Sequence, residues 1–117
     1  MKLPGPDHPI TIAPHKGHVV VRFGDTVVAD THNALELKEA SYPAVLYIPR
    51  EDAKLSHYER TAHSTHCPYK GDARYFTLTD GAQRADNAVW TYETPCPAMA
   101  AIANHVAFYP NKVTIAQ

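Results

Sequence analysis

The sequence of 117 residues has little of several features that mark common classes of protein. Its two cysteines form no Cys-x-x-Cys pair, so neither a disulfide framework nor paired zinc-binding knuckles are expected. Its net charge is -1, which argues against a general nucleic-acid-binding surface. It has no apolar run long enough to span a membrane, and its N-terminus lacks the apolar core of a signal peptide. These absences predict a soluble cytoplasmic protein that binds neither a nucleic acid polymer nor a membrane.

Motifs of several enzyme classes are also missing. The sequence has no phosphate-cradling glycine-rich loop, no His-Glu-x-x-His pair and no nucleophile elbow. His63, His66 and Cys67 offer three metal ligands, whereas a closed structural zinc site needs four. In a strand, His63 and His66 would also point to opposite faces. No intrinsic metal site and no cofactor are therefore predicted, and adventitious metal binding at these residues stays open.

Short β-branched runs between turn residues predict a mainly β fold. Residues 1–9 are rich in proline and predict an irregular arm, and residues 10–117 are long enough for one domain with a single core. Gly24-Asp25 and Pro110-Asn111 are turn signals that predict hairpins. Residues 97–105 are alanine-rich with a proline near their start, which predicts one short C-terminal helix. The predicted strands cover residues 18–23, 26–30, 34–38, 44–48, 61–66, 74–79, 88–93, 106–109 and 112–116, and residues 52–58 are a polar turn or short helix.

The segment 66–75 holds a thiol and a primary amine beside a predicted turn. Pro68 fixes φ and Gly71 tolerates a positive φ, so the chain can bend there and project Lys70. An ammonium beside a thiol stabilises the thiolate, which makes Cys67 a candidate nucleophile. The alternative is that Cys67 is a small buried hydrophobic residue and Lys70 a solvated turn residue.

A second cation, Arg50, follows a strand that the sequence predicts to be buried. Its planar guanidinium suits a carboxylate or a phosphate group. The alternative is a structural ion pair between Arg50 and either Asp52 or Glu39. If Cys67 were a nucleophile, Asp52 or Glu93 would handle protons.

Aromatic residues recur in the predicted strands. Trp90 and Tyr92 share one face of their strand because side chains alternate along it. Tyr47 and Tyr75 lie in other predicted strands. On an inner face these rings would be core residues, whereas in a cleft they would stack against a planar ligand.

Taken together, these segments resemble family 427 of the domains of unknown function, from about Val19 to the end of the chain. The family implies a β-tent, in which two antiparallel sheets lean together, with no established activity. Similar tents often carry zinc on Cys-x-x-Cys knuckles, which this sequence lacks. The resemblance rests on five blocks in this order: Val-Ala-Asp-Thr at 28–31, Tyr-Ile-Pro-Arg-Glu-Asp at 47–52, Thr-His-Cys-Pro-Tyr-Lys-Gly-Asp-Ala-Arg-Tyr at 65–75, Ala-Val-Trp-Thr-Tyr-Glu at 88–93, and Val-Ala-Phe-Tyr at 106–109.

The family is sometimes labelled nucleotidyltransferase-like. Metal-dependent nucleotidyl transfer needs carboxylates that converge on one or two magnesium ions. The candidates Asp52, Asp72 and Glu93 lie in separate blocks, and no Asp-x-Asp spacing brings two of them together. The residues therefore do not support this activity.

The sequence as a whole predicts a small-molecule-binding β domain with a cationic and aromatic pocket. An anionic, nucleotide-like or sugar-like metabolite would suit such a pocket. One alternative is an enzyme that acts on such a metabolite, and another is a protein-interaction module with an aromatic patch. Neither the ligand's identity nor the oligomeric state follows from the sequence. The predicted ligand-binding residues are Tyr47, Arg50, Lys70, Tyr75, Trp90, Tyr92 and Glu93, and the predicted catalytic residues are Cys67, Lys70 and Asp52.

Overall fold

Ten strands account for most of the regular structure in the computed structural model, which describes residues 1–117. The larger sheet has the strand order β1-β4-β5-β9-β8-β7-β6, and the smaller sheet has the order β10-β2-β3. All strand pairs are antiparallel, so the predicted mainly β domain with two antiparallel sheets is confirmed. The strands are β1 (Ile10–Pro14), β2 (Val19–Phe23), β3 (Thr26–Thr31), β4 (Leu35–Glu39), β5 (Val45–Pro49), β6 (Tyr58–Cys67), β7 (Gly71–Asp80), β8 (Gln83–Thr91), β9 (His105–Phe108) and β10 (Thr114–Ala116).

One of the two predicted hairpins is wrong. Gly24-Asp25 joins the paired strands β2 and β3 as predicted, with Gly24 at a φ of 59°. Pro110-Asn111 lies in a tight turn, but it carries the chain from β9 in the larger sheet to β10 in the smaller one. The reason is that β5 and β8 already occupy both edges of β9, so β10 pairs with β2 instead. The sequence also gave no prediction for β1, whose Pro14 is tolerated because the strand lies at a sheet edge.

The predicted C-terminal helix is present as a short 3₁₀ helix, Pro97–Ile102. Its hydrogen bonds span three residues, as when the Met99 N–H donates to the Cys96 carbonyl at 2.8 Å. Met99 and Ile102 of this helix are buried. The helix ends before residue 105 because β9 begins there. Two further 3₁₀ turns, Arg50–Asp52 and Leu55–His57, lie around the polar segment 52–58. None of these helices is long and apolar enough to cross a membrane.

The larger sheet buries residues on both of its faces. The inter-sheet face, which bears Phe76, Val89 and Val106, packs against the smaller sheet. The aromatic face bears Tyr47, Tyr75, Trp90 and Tyr92 and packs against the C-terminal 3₁₀ helix. Because side chains alternate along β8, neighbouring residues of that strand belong to different cores.

The larger sheet is held together weakly at its centre. β5 and β9 share two residue pairs, Ile48 with Val106 and Pro49 with His105. The earlier part of β5, Val45–Tyr47, pairs with β4 and has no ladder partner on β9. The two halves of the sheet therefore separate beside Tyr47, and this opening lies on the aromatic face.

Candidate functional site

A cleft of about 230 Å³ occupies this opening. Its walls come from β4, β5, β7 and β8 and from the loops that follow or precede them. The structure therefore brings together all the predicted ligand-binding residues except Arg50 and Glu93. The lining residues are Leu37, Glu39, Tyr42, Pro43, Val45, Tyr47, Lys70, Tyr75, Trp90, Tyr92 and Tyr109.

Lys70 reaches the cleft from the turn between β6 and β7, and Gly71 fixes the geometry of that turn. Gly71 has a φ of 108°, in the region that favours glycine. A Cβ atom at this position would lie 3.4 Å from the backbone nitrogen of Cys96 and 3.5 Å from the Cα of Pro95. The Cys96 N–H also donates to the Lys70 carbonyl at 2.9 Å. Backbone packing thus holds Lys70 in place from behind.

The ammonium of Lys70 forms an ion pair with Glu39, which lies on β4 across the curled sheet. The second carboxylate oxygen of Glu39 is bonded to Nε2 of His8, at 2.7 Å, from the N-terminal arm. Burial raises the pKa of Glu39, but the hydrogen bonds from Lys70 and His8 outweigh burial and lower the pKa. Glu39 is therefore charged, and each of its two carboxylate oxygens has a hydrogen-bond partner. Lys70 has three N–H donors and this single acceptor, so it retains donors for a ligand.

Two phenols in the cleft also retain donors. The hydroxyl of Tyr47 accepts a hydrogen bond from the indole N–H of Trp90 at 3.2 Å, and its own proton has no acceptor in the protein. Tyr92 is 5% exposed, and its hydroxyl makes no hydrogen bond within the protein. Burial raises the pKa of Tyr47 to about 12 and also raises that of Tyr92. Both phenols therefore stay protonated at neutral pH and can donate to an acceptor in the cleft.

Two more aromatic rings stand at the mouth of the cleft. Tyr42 is 62% exposed and Tyr109 is 40% exposed. The Tyr109 ring packs against Trp90 with a centroid distance of 4.7 Å. The neighbouring hydroxyl of Tyr75, together with partial burial, raises the pKa of Tyr109 to about 12. The mouth is thus aromatic and uncharged.

The prediction that Arg50 shares a pocket with Lys70 is wrong. The Arg50 guanidinium donates to Thr91 Oγ1 at 3.1 Å and to Glu93 at 3.2 Å. Thr91 alternates with Trp90 along β8, so Arg50 lies on the inter-sheet face and not on the aromatic face. Glu93 is likewise on that side, where it also accepts a hydrogen bond from Arg60 at 2.5 Å.

This second cluster is a partly exposed ion-pair network, in which the Nε atom of Arg50 is buried without a hydrogen-bond partner. Hydrogen bonds from Arg60 and then from Arg50 lower the pKa of Glu93 despite partial burial. Both guanidinium groups also lie over the ring of Phe76. The distance from the guanidinium carbon Cζ to the ring centroid is 5.6 Å for Arg50 and 5.2 Å for Arg60. The alternative of a structural ion pair for Arg50 is therefore realised, with Glu93 in place of Asp52 or Glu39.

Of the predicted catalytic residues, Lys70 lines the cleft, whereas Cys67 and Asp52 do not. Cys67 is half-buried and does not line the cleft, and the Lys70 ammonium is bonded to Glu39. Asp52 is also absent from the cleft, because its carboxylate accepts a hydrogen bond from Thr31 at 2.7 Å. The enzyme alternative stays a prediction.

The carboxylates considered for nucleotidyl transfer also remain apart. Asp52 is bonded to Thr31, Glu93 is bonded to arginines, and Asp72 is bonded to His66 at 2.8 Å. No group of three or more His, Cys, Asp or Glu side chains is arranged to hold a metal ion.

Several residues of the cleft were not predicted from the sequence. Glu39 was considered only as a partner of Arg50, and His8 lies in the segment predicted to be an irregular arm. Tyr42 stands in a loop beside a proline, so no strand alternation predicts its orientation. Tyr109 ends the predicted strand 106–109, and alternation along that strand places it on the same face as Ala107, which is the one signal in the sequence.

Comparison with known proteins agrees with the resemblance drawn from the sequence. No curated protein matches the chain. The family model of a domain of unknown function, DUF427, labelled NTP_transf_9, matches residues 11–117. The match covers every strand except the first residue of β1. The chain therefore belongs to the family of the domain of unknown function DUF427.

Proposed function

We propose that this protein binds a small planar molecule that carries an anionic or other hydrogen-bond-accepting group. The observation that carries this proposal is the convergence of unused donors, on Lys70, Tyr47 and Tyr92, in one aromatic cleft. Tyr92 lines the cleft and its hydroxyl has no hydrogen-bond partner within the protein, so this hydroxyl is available to a ligand acceptor. A ligand acceptor would complete these hydrogen bonds.

The dimensions of the cleft favour a small ligand. Pockets for drug-sized molecules measure about 300–1,000 Å³, and this cleft measures about 230 Å³. A single ring with one acidic substituent suits it better than a nucleic acid polymer does. The net charge of -1 supports the same conclusion.

The charge on Lys70 is balanced by Glu39, so recognition rests on directed hydrogen bonds rather than on a net positive field. Glu39 is already bonded to Lys70 and His8, which limits its repulsion of an incoming anion. The rings of Trp90 and Tyr109 would pack against the planar part of the ligand.

We further propose that the protein works in the cytoplasm. Cys67 and Cys96 are free thiols, and free thiols are typical of reducing compartments.

The fluorescence of Trp90, the only tryptophan, allows the binding proposal to be tested with benzoate and phenyl phosphate. We expect at least one of these aromatic anions to change the Trp90 signal in a saturable way. In Tyr92→Phe the affinity should fall about tenfold, because one hydrogen bond to a charged group is lost. The stability of this variant should stay within about 0.5 kcal/mol of the wild type, since no protein partner loses a bond.

Tyr58→Phe is the matched control for this experiment. The Tyr58 hydroxyl donates to the Val28 carbonyl at 2.7 Å and lies outside the cleft. This variant should lose about 1 kcal/mol of stability and keep the wild-type affinity. Binding that is equal in wild type and Tyr92→Phe, or absent with both anions, would refute the proposal.

A further inference from the structure

A second cavity adjoins the cleft at Trp90. This groove has a volume of about 490 Å³. Tyr42, Pro43, Val45 and Trp90 line both cavities. The cleft and the groove are therefore adjacent, and a molecule bound at Lys70 would enter the groove by passing Trp90.

The groove exists because β5 and β9 separate after two residue pairs. Leu46 on β5 and Phe108 at the end of β9 both line it, and Ile115 of the smaller sheet closes it from β10. It is therefore framed by strands of both sheets, and it differs in this respect from a gap between surface loops.

The two cavities differ in polarity. The cleft contains the Lys70–Glu39 ion pair and the unpartnered Tyr92 hydroxyl. The lining of the groove contains no Lys, Arg, His, Asp or Glu, and Gln117 is its only amide side chain. Apolar surface of this kind gains free energy when a hydrocarbon group displaces water from it.

We infer that the ligand is amphipathic, with an acidic aromatic head at Lys70 and a hydrocarbon chain that passes Trp90 into the groove. The inference rests on the proposed function, because the head group occupies the cleft described above. Because Tyr42, Pro43, Val45 and Trp90 line both cavities, the tail of the same ligand is the occupant that the geometry selects for the groove. A fully hydrophilic sugar phosphate would leave the apolar surface exposed to water.

A series of 4-alkylbenzoates tests this inference, with Trp90 fluorescence as the readout and concentrations kept below micelle formation. Each methylene that enters the groove should raise the affinity about fourfold, until the groove is filled and the affinity levels off. In Ile115→Gln the gain per methylene should fall, while the affinity for unsubstituted benzoate stays the same. Leu46→Gln provides the same test if Ile115→Gln does not fold.

Leu55→Gln is the matched control, because Leu55 is exposed and lies outside the groove. This variant should keep the full chain-length dependence. A similar loss in Leu55→Gln would mean that the alkyl chains bind the surface without specificity, which would overturn the inference.

The possible failures can be told apart. If neither benzoate nor phenyl phosphate binds, or if the anion that binds does so equally to Lys70→Met, the proposed function fails. If benzoate binds through Lys70 but longer chains bring no gain, only the amphipathic ligand is refuted. If sedimentation shows a dimer that Ile115→Gln converts to monomers, and the chain-length series is flat, a second copy occupies the groove and the inference is also refuted.

Discussion

Two ion-pair clusters lie on opposite faces of the same sheet, and their surroundings differ. On the aromatic face, the side chains of Lys70 and Glu39 are 11% and 16% exposed. On the inter-sheet face, those of Arg60 and Glu93 are 49% and 31% exposed. The first cluster opens onto a cleft, whereas the second lies at the surface over one aromatic ring.

This difference separates a binding site from a structural network. Lys70 has one acceptor and keeps unused donors beside two phenols that also keep theirs. Arg50 and Arg60 both donate to Glu93, and no cavity adjoins them. A cation at a strand end therefore indicates a ligand site only when its donors face a cavity.

Replacement of Lys70 should have the largest effect of any single change in the two clusters. Lys70→Met leaves the carboxylate of Glu39 in a largely buried position with His8 as its remaining partner. We expect a loss of about 2–4 kcal/mol in the free energy of unfolding, measured in urea. The double variant Lys70→Met/Glu39→Gln should regain part of this loss, because it removes the uncompensated charge.

Lys16→Met is the control for this change, because Lys16 is exposed and forms no ion pair. Its stability should stay within about 0.5 kcal/mol of the wild type. If the Lys70 and Lys16 variants were equally stable, the Lys70–Glu39 ion pair would not stabilise the fold. The predicted difference in stability between the two ion-pair clusters would then be wrong.

Gly71→Ala should have the next largest effect on stability. It tests whether the backbone geometry of the turn at Gly71 positions Lys70. The substitution would force a φ of 108° on alanine, with the new Cβ in van der Waals contact with the backbone of Cys96. A loss of about 1–3 kcal/mol is expected from the strain. Gly5→Ala is the control, since its Cβ would meet nothing within 4 Å. Thermal or urea unfolding of both variants measures the difference.

Acid is the condition in which the two clusters should behave alike. The hydrogen bonds to Glu39 and Glu93 keep both folded-state pKa values below 4.5. The stability from each carboxylate is therefore complete above that pH and is lost as the pH falls through the folded-state pKa. Stability measured from pH 6 down to about pH 3 should fall less steeply in Glu39→Gln and in Glu93→Gln than in the wild type. An unchanged slope in either variant would contradict the corresponding pKa direction.

Arg60→Ala should have the smallest effect. Its guanidinium is about half exposed, so solvent screens its interaction with Glu93. We expect a loss of about 0.5 kcal/mol and no change in the binding of aromatic anions. A loss of binding in this variant would place the binding site on the inter-sheet face and would contradict its assignment to the aromatic face.

The sequence predicted the parts of the site that depend on local rules. Trp90 and Tyr92 share a face because of strand alternation, and the turn at Gly71 follows from its conformational freedom. The same alternation rule places Glu93 on the face of the strand that does not bear Trp90 and Tyr92. Strand alternation therefore predicts that Glu93 lies outside the pocket. The two antiparallel sheets followed from the short strands and turns in the same way.

The remaining features depend on contacts between distant segments. The pairing of Lys70 with Glu39 needs the larger sheet to curl until a turn after β6 meets β4. The pairing of β10 with β2 depends on which strand edges remain free. Neither can be read from residue types, because many registers of short strands satisfy the same local pattern.

Chemical-shift mapping with benzoate tests the central claim most directly, because amide signals report on both faces of the sheet at once. The single indole N–H of Trp90 provides a unique marker in the cleft. We predict shifts at Lys70, Tyr92, Tyr47 and the Trp90 indole, and none at Arg50, Arg60 or Glu93. Shifts centred on Arg50 and Glu93, with the Trp90 indole unmoved, would contradict the account.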